Sequence, residues 1–262
     1  MLTGNRAVVT EINKTVAETL KTCGPAILGV GDMEKQIITT IASIITRTHP
    51  CQLDLGDEDD EQDVEGGSSE FDWLVIDTAL DVILGVATAM GAQFLPHWMT
   101  LHKPVIKFCS SQDALEKSTA MGVLAEVIKH IGSAVTPFSS QVQPLLLKRL
   151  TDPDPLTKSN TAYAMGQLIA NTEDDSILRL YPEVLEKLEA ALGVTESRMQ
   201  DNIAGCLARM MTRNSDADVV ERLLPPMLSV LPLKEDYEEN VPIFECIYKL
   251  CKCSEAVRLA DR

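Results

Sequence analysis

The chain has 262 residues, is 45% apolar but only 4% aromatic, and carries a formal charge of -16 from 39 acidic and 23 basic residues. Such a composition supports a continuous core of Leu, Ile, Val, Ala and Met, as packed helices require. The acidic excess argues against direct binding to DNA or RNA, which needs a basic footprint; it suits a basic protein partner, and also plain solubility.

In chain order, residues from Asn5 to Cys23 predict a first helix, ended at Gly24-Pro25 by left-handed tolerance and a missing amide donor. Asp32 is a good N-cap for a second helix reaching His49, with Ile37, Ile38, Ile41, Ile44 and Ile45 on one stripe. Residues 1–52 are therefore expected to form a first helix pair. The segment 53–69 changes character abruptly: it concentrates acidic residues and Gly66-Gly67-Ser68-Ser69, and is expected to be a disordered loop. It is either a solvated insertion or an electrostatic lure for a basic partner. From 70 onward, helices are expected at 70–90, 92–109, 113–132, 135–150, 154–171, 176–192, 196–214, 217–230 and 236–253.

These helices repeat. Acidic and polar clusters that open a helix return at Glu70, Asp113, Asp154, Glu196 and Asp236, so the spacing stays between 40 and 43 residues. Leu124-Ala-Glu-Val-Ile, Met165-Gly-Gln-Leu-Ile and Leu207-Ala-Arg-Met-Met stand at equivalent places. Paired helices at a period of roughly 40–47 residues, without strands, are the HEAT or armadillo signature. The expected fold is all-α: a right-handed HEAT-repeat superhelical solenoid of about six helix pairs, with 70–262 as the main solenoid. The clusters open the B helices. The intervening A helices carry Pro96, Pro104, Pro137, Pro144, Pro182, Pro225, Pro226 and Pro232, which are expected to kink them. A solenoid favours a curved binding surface over an enzyme pocket.

Other classes find little support. The seven cysteines follow no disulfide framework, which suggests a reducing compartment. Cys251-Lys-Cys253 lacks the second pair or nearby His that would complete a zinc site. His49, His97, His102 and His130 have no ligand spacing, Gly29-Val-Gly31 is no phosphate loop, and no catalytic triad can be argued. No cofactor, metal or catalytic residue is expected. No signal peptide is visible and no apolar run approaches the roughly 18 residues that span a membrane, so a soluble, intracellular protein is expected.

Three strings narrow the reading. Ser159-Asn-Thr-Ala-Tyr-Ala-Met-Gly-Gln-Leu-Ile, Arg198-Met-Gln-Asp-Asn-Ile-Ala-Gly-Cys-Leu-Ala-Arg-Met and Leu231-Pro-Leu-Lys-Glu-Asp-Tyr-Glu-Glu-Asn resemble repeats of importin-β superfamily nuclear transport receptors, near their C-terminal end. The resemblance covers most of 69–262 and extends more weakly to 1–50. It implies a cargo-binding C-terminal piece of a receptor that shuttles between cytoplasm and nucleus. Its cargo would be lysine-rich localisation segments of core histones or ribosomal proteins. Contacts with the Ran GTPase and nucleoporins would lie in parts of the receptor outside this chain.

Holding a lysine-rich segment needs carboxylates for ammonium groups, amides for the peptide backbone and an aromatic for lysine stems. On such a solenoid these should line the B helices. Asn160 and Asn202 occupy one repeat position and could form an amide ladder or bond between repeats. Glu238 and Glu239 open the last B helix, where they could hold one lysine or simply favour the helix dipole. The resemblance places Asn202, Glu238 and Glu239 in the cargo-facing region. Glu116, Glu126, Tyr163 and Asp77 are further candidates, Asp77 recurring with Asp72 and Asp81 on the helix of Trp73, itself expected in the core. A rival reading is a HEAT scaffold subunit that organises a multiprotein complex, like a phosphatase regulatory subunit, and does not prefer basic peptides.

Overall fold

The computed structural model of the protein describes residues 5–53, 70–193 and 196–260. Among these residues there are eleven α-helices, short 3-10 turns and no strand. The acidic segment from 54 to 69 lies outside the described residues. The chain divides into two compact units, Met1–Ile131 and Gly132–Arg262.

The first unit contains α1 (Arg6–Cys23), α2 (Met33–Ile45), α3 (Glu70–Met90), α4 (Leu95–Phe108) and α5 (Ala114–Ile131). Asn5 caps α1 by accepting from the Ala7 and Val8 amides. Asp32 stands at the N-cap of α2 but makes no side-chain capping bond, and α2 stops at Ile45 rather than His49. Arg47 then turns the chain with φ 60. The stripe Ile37, Ile38, Ile41, Ile44 and Ile45 is buried as the spacing predicted. Helix α3 packs against both α1 and α5, while α2 packs against α3 and α4, and α4 against α5. The closeness of α1 and α3 depends on Gly85, where a Cβ would meet Leu20 Cβ at 3.0 Å.

One sequence expectation fails here. Asp72–Phe108 contains an 18-residue window of mean hydropathy 1.7, long and apolar enough by composition to cross a membrane. In this structure 56% of that window is buried, with Val75, Ile76, Leu80, Ile83 and Val86 wholly inside. Complete burial of each such side chain is worth about 1.5–3 kcal/mol, so core packing accounts for the apolarity. Trp73 is core as expected, 8% exposed, with its ring edge-on to Phe108 at 5.7 Å.

The second unit contains α6 (Ser139–Arg149), α7 (Pro155–Asn171), α8 (Tyr181–Leu192), α9 (Ser197–Arg213), α10 (Ala217–Val230) and α11 (Asn240–Ala260). Asp154 caps α7 by accepting from the Thr157 amide at 2.7 Å. Helices α7, α9 and α11 stack side by side, with α6 against α7 and both α8 and α10 against α9. Each unit thus has the two-layer, paired-helix packing of a HEAT repeat. Of the eight prolines expected to kink A helices, only Pro104, Pro144, Pro225 and Pro226 lie inside α-helices; Pro96 and Pro182 sit in first turns, where a missing amide donor costs nothing, Pro137 lies in the 3-10 turn Gly132–Phe138, and Pro232 follows the end of α10.

Candidate functional site: the odd-numbered helix faces

In the first unit, Asp77 and Asp81 lie four residues apart and so share one face of α3. Neither carboxylate has an ion-pair partner among the described residues. Asp77 is half-buried; burial, and then the neighbouring Asp81 charge, push its carboxyl above the usual range. Asp81 is the more accessible of the two; partial burial raises its carboxyl, and Lys21 opposes that rise. Two neighbouring like charges that make no ion pair are an unfavourable arrangement, only partly offset by Lys21, that an incoming ammonium would relieve further.

Asp72, Glu116 and Glu126, the other carboxylates of this unit singled out in the sequence, already have partners. Glu116 accepts from Ser111 Oγ at 2.7 Å and from Arg47 at 3.3 Å, while the same guanidinium reaches Asp72 at 2.7 Å. Arg47 therefore ties the turn after α2 to α3 and α5, and Glu116 is part of that tie. Glu126 lies 3.3 Å from Lys129 and 3.5 Å from His130 along α5.

In the second unit, Asn160 and Tyr163 are half-buried on α7, one turn apart. The Arg209 guanidinium of α9 lies over the Tyr163 ring, 5.5 Å from its centroid. Its two terminal nitrogens bind the Glu239 carboxylate at 2.5 and 2.8 Å. Glu239 is 1% exposed and Glu238 is exposed, so the two neighbours face different surroundings. Only Glu238 presents its carboxylate at the surface; Glu239 closes a buried bidentate pair.

Asn202 is also buried, 1% exposed, and its Nδ2 donates to Ser159 Oγ at 3.0 Å. Of the two sequence readings, the bond between repeats is the one realised, joining α9 to α7. Asn202 and Asn160 thus do not form a matched pair of exposed amides.

Three residues that the sequence reading passed over organise this region. Asp201 is fully buried and accepts the backbone amides of Lys234 at 3.1 Å, Glu235 at 2.7 Å and Asp236 at 2.8 Å. Gly205 lies where a Cβ would overlap the Glu239 carboxylate. Arg209 makes the pair just described. Their numbering, 201, 205 and 209, puts them on one helix face, a signal visible in the sequence. The strings around Arg198 and Leu231 are therefore physical partners: the first holds the second in place. Cys206, on the same helix, is fully enclosed, and burial pushes its thiol up to about 12, which makes it an inert apolar filler.

No family model matches the chain. It is similar to the "Probable importin subunit beta-4" of Schizosaccharomyces pombe, 34% identical over 222 residues, which cover 82% of this chain and 21% of that protein. It is also similar to "Importin-4" of Mus musculus, 31% identical over 241 residues, and of Homo sapiens, 29% identical over 241 residues; each covers 91% of this chain. The chain spans about a fifth of the length of these relatives. With paired helices in each unit and similarity over most of its length, the chain belongs to the importin-β family and resembles the C-terminal part of importin-4.

Proposed function

We propose that this chain is the cargo-binding part of a nuclear import receptor that moves between cytoplasm and nucleus, and that it holds lysine-rich segments of its cargo. The observation that carries the reading is the Asp77–Asp81 pair on one face of α3, one half-buried and one exposed, with raised carboxyls and no ion pair among the described residues. The half-buried Asn160 and Tyr163 and the exposed Glu238 of the second unit supply an amide, an aromatic and a further carboxylate. Support also comes from the names of the relatives and from the formal charge of -16. Histone tails are the first cargo class and ribosomal proteins the second. Contacts with the Ran GTPase and nucleoporins belong to a longer receptor, and no chemical step is assigned to these residues.

The test is fluorescence anisotropy of a labelled lysine-rich peptide with the full chain, at low and raised salt. Binding should weaken with salt, as expected for exposed charge pairs, and Asp77→Asn/Asp81→Asn should weaken it about tenfold, the size of one lost charge-assisted contact. A chain that binds no basic peptide at low salt, or a double variant that binds like the parent, would remove Asp77 and Asp81 from the mechanism.

A further inference from the structure

One face of α11 is both exposed and apolar. Val241, Phe244 and Tyr248 are 60%, 64% and 61% exposed, and their spacing of three and four puts them side by side on that face. Among the described residues no other α-helix exposes more than one large apolar side chain. The opposite face of α11 is already used, since Ile243 and Cys246 are buried and the helix packs on α9. Single exposed apolar residues need no explanation, but three together on one helix mark a contact surface.

The charges beside these residues select the occupant. Glu245 makes no ion pair among the described residues, because Lys249, one turn further along the same flank, donates to the Thr212 carbonyl at 2.8 Å instead. That ammonium keeps N–H donors for a second acceptor. Lys252 lies over the Tyr248 ring, 4.8 Å from its centroid. The face thus runs from acid to base along the helix, and an antiparallel copy of it runs from base to acid. Glu245 and Lys249 stand two residues either side of Ile247, and Phe244 and Cys251 are almost as evenly placed. A two-fold axis near Ile247 therefore sets Glu245 of each copy opposite Lys249 of the other, Phe244 against the exposed Cys251, and the two Tyr248 rings beside the axis. Such self-complementarity is what an isologous contact requires. Exposed charge pairs add little affinity but fix the register, while burial of the apolar side chains supplies the attraction.

We propose that this face binds a second copy of the chain, α11 against antiparallel α11, to form a symmetric dimer. The inference goes beyond the receptor reading and does not rest on it.

The experiment is sedimentation velocity of the full chain over about a hundredfold range of concentration. It is run at raised salt, which screens the repulsion between two chains of formal charge -16. A monomer should give way to a species of twice its mass. A contact through one helix lies at the small end of specific interfaces, so the midpoint should fall at roughly tens of micromolar. Tyr248→Glu sets two like charges beside the axis and should weaken the dimer at least about tenfold. Glu245→Lys sets lysine against lysine and should weaken it about fivefold, and Glu245→Lys/Lys249→Glu should restore it. Restoration by exchanged charges is a result that unspecific apolar association does not give. A chain that stays monomeric at every concentration overturns the proposal. So does a Tyr248→Glu variant that pairs like the parent, which would put the contact elsewhere, or a double variant as weak as Glu245→Lys, which would exclude the antiparallel register. Growth beyond the dimer would also overturn it, since open assembly requires two unlike faces. The substituted side chains are exposed, and circular dichroism on each variant verifies that the helices are intact.

Discussion

Gly205 and Glu239 occupy the same space by agreement: a Cβ on Gly205 would collide with the Glu239 carboxylate, which is seated there and held by Arg209. The absence of one methyl on α9 thus admits a buried ion pair from the turn before α11.

Gly205→Ala tests that relationship. Alanine gains about 1 kcal/mol over glycine in a helix interior. Displacing Glu239 leaves a buried guanidinium without its partner, which costs about 3–5 kcal/mol. The second effect wins, so urea unfolding should show a net loss of about 2–4 kcal/mol. A variant as stable as the parent would mean that Glu239 can leave its seat freely.

Arg209→Lys separates charge from geometry. The positive charge is kept, but the two bonds to Glu239 and the guanidinium's contact over the Tyr163 ring are lost. Lysine cannot replace a bidentate guanidinium, so thermal unfolding should report a loss of about 1–2 kcal/mol. Unchanged stability would show that charge alone suffices.

Asp201→Ala removes the acceptor for three backbone amides, those of Lys234, Glu235 and Asp236. Hydrogen exchange at Glu235 and Asp236 should accelerate at least tenfold while amides in the middle of α7 keep their protection, because the bonds lost are local. Uniform acceleration across the second unit would instead indicate a global loss of stability.

The Asp77 and Asp81 carboxyls make a signed prediction for pH. Burial, then mutual charge at Asp77, raises their folded values above the ordinary 3.8. The native state therefore binds these protons more tightly than the unfolded chain does. Their contribution favours folding as pH falls through the raised values, and the benefit is complete below the ordinary value. Asp77→Asn/Asp81→Asn should be at least as stable as the parent at pH 7, and its advantage should shrink toward pH 4 in parallel denaturation curves. An advantage that grows on acidification would contradict the direction of these shifts.

The helical framework was legible because its causes are local. Periodic apolar residues, Asn5 and Asp154 as caps, and Gly24, Gly91 and Gly132 as left-handed stops act within one or two turns. Asp32 shows the limit of such signals, since it holds the cap position without making the bond. The apolarity of α3 and α4 is interrupted by polar residues along the chain, so it shows as a high mean hydropathy and not as one unbroken apolar run.

By itself, the sequence determined the helices, their repeat near forty residues, and the acidic balance, since each follows from residue type and spacing along the chain. Only the tertiary structure decided which polar groups are engaged. Glu238 and Glu239 are chemically identical neighbours, yet one is exposed and the other is buried against Arg209, thirty positions earlier. Asn202 bonds Ser159 across two helices, while Asp77 and Asp81 make no ion pair among the described residues. A side chain's partner is fixed by how helices dock, and docking turns on contacts between residues far apart in the chain, such as the missing methyl at Gly205.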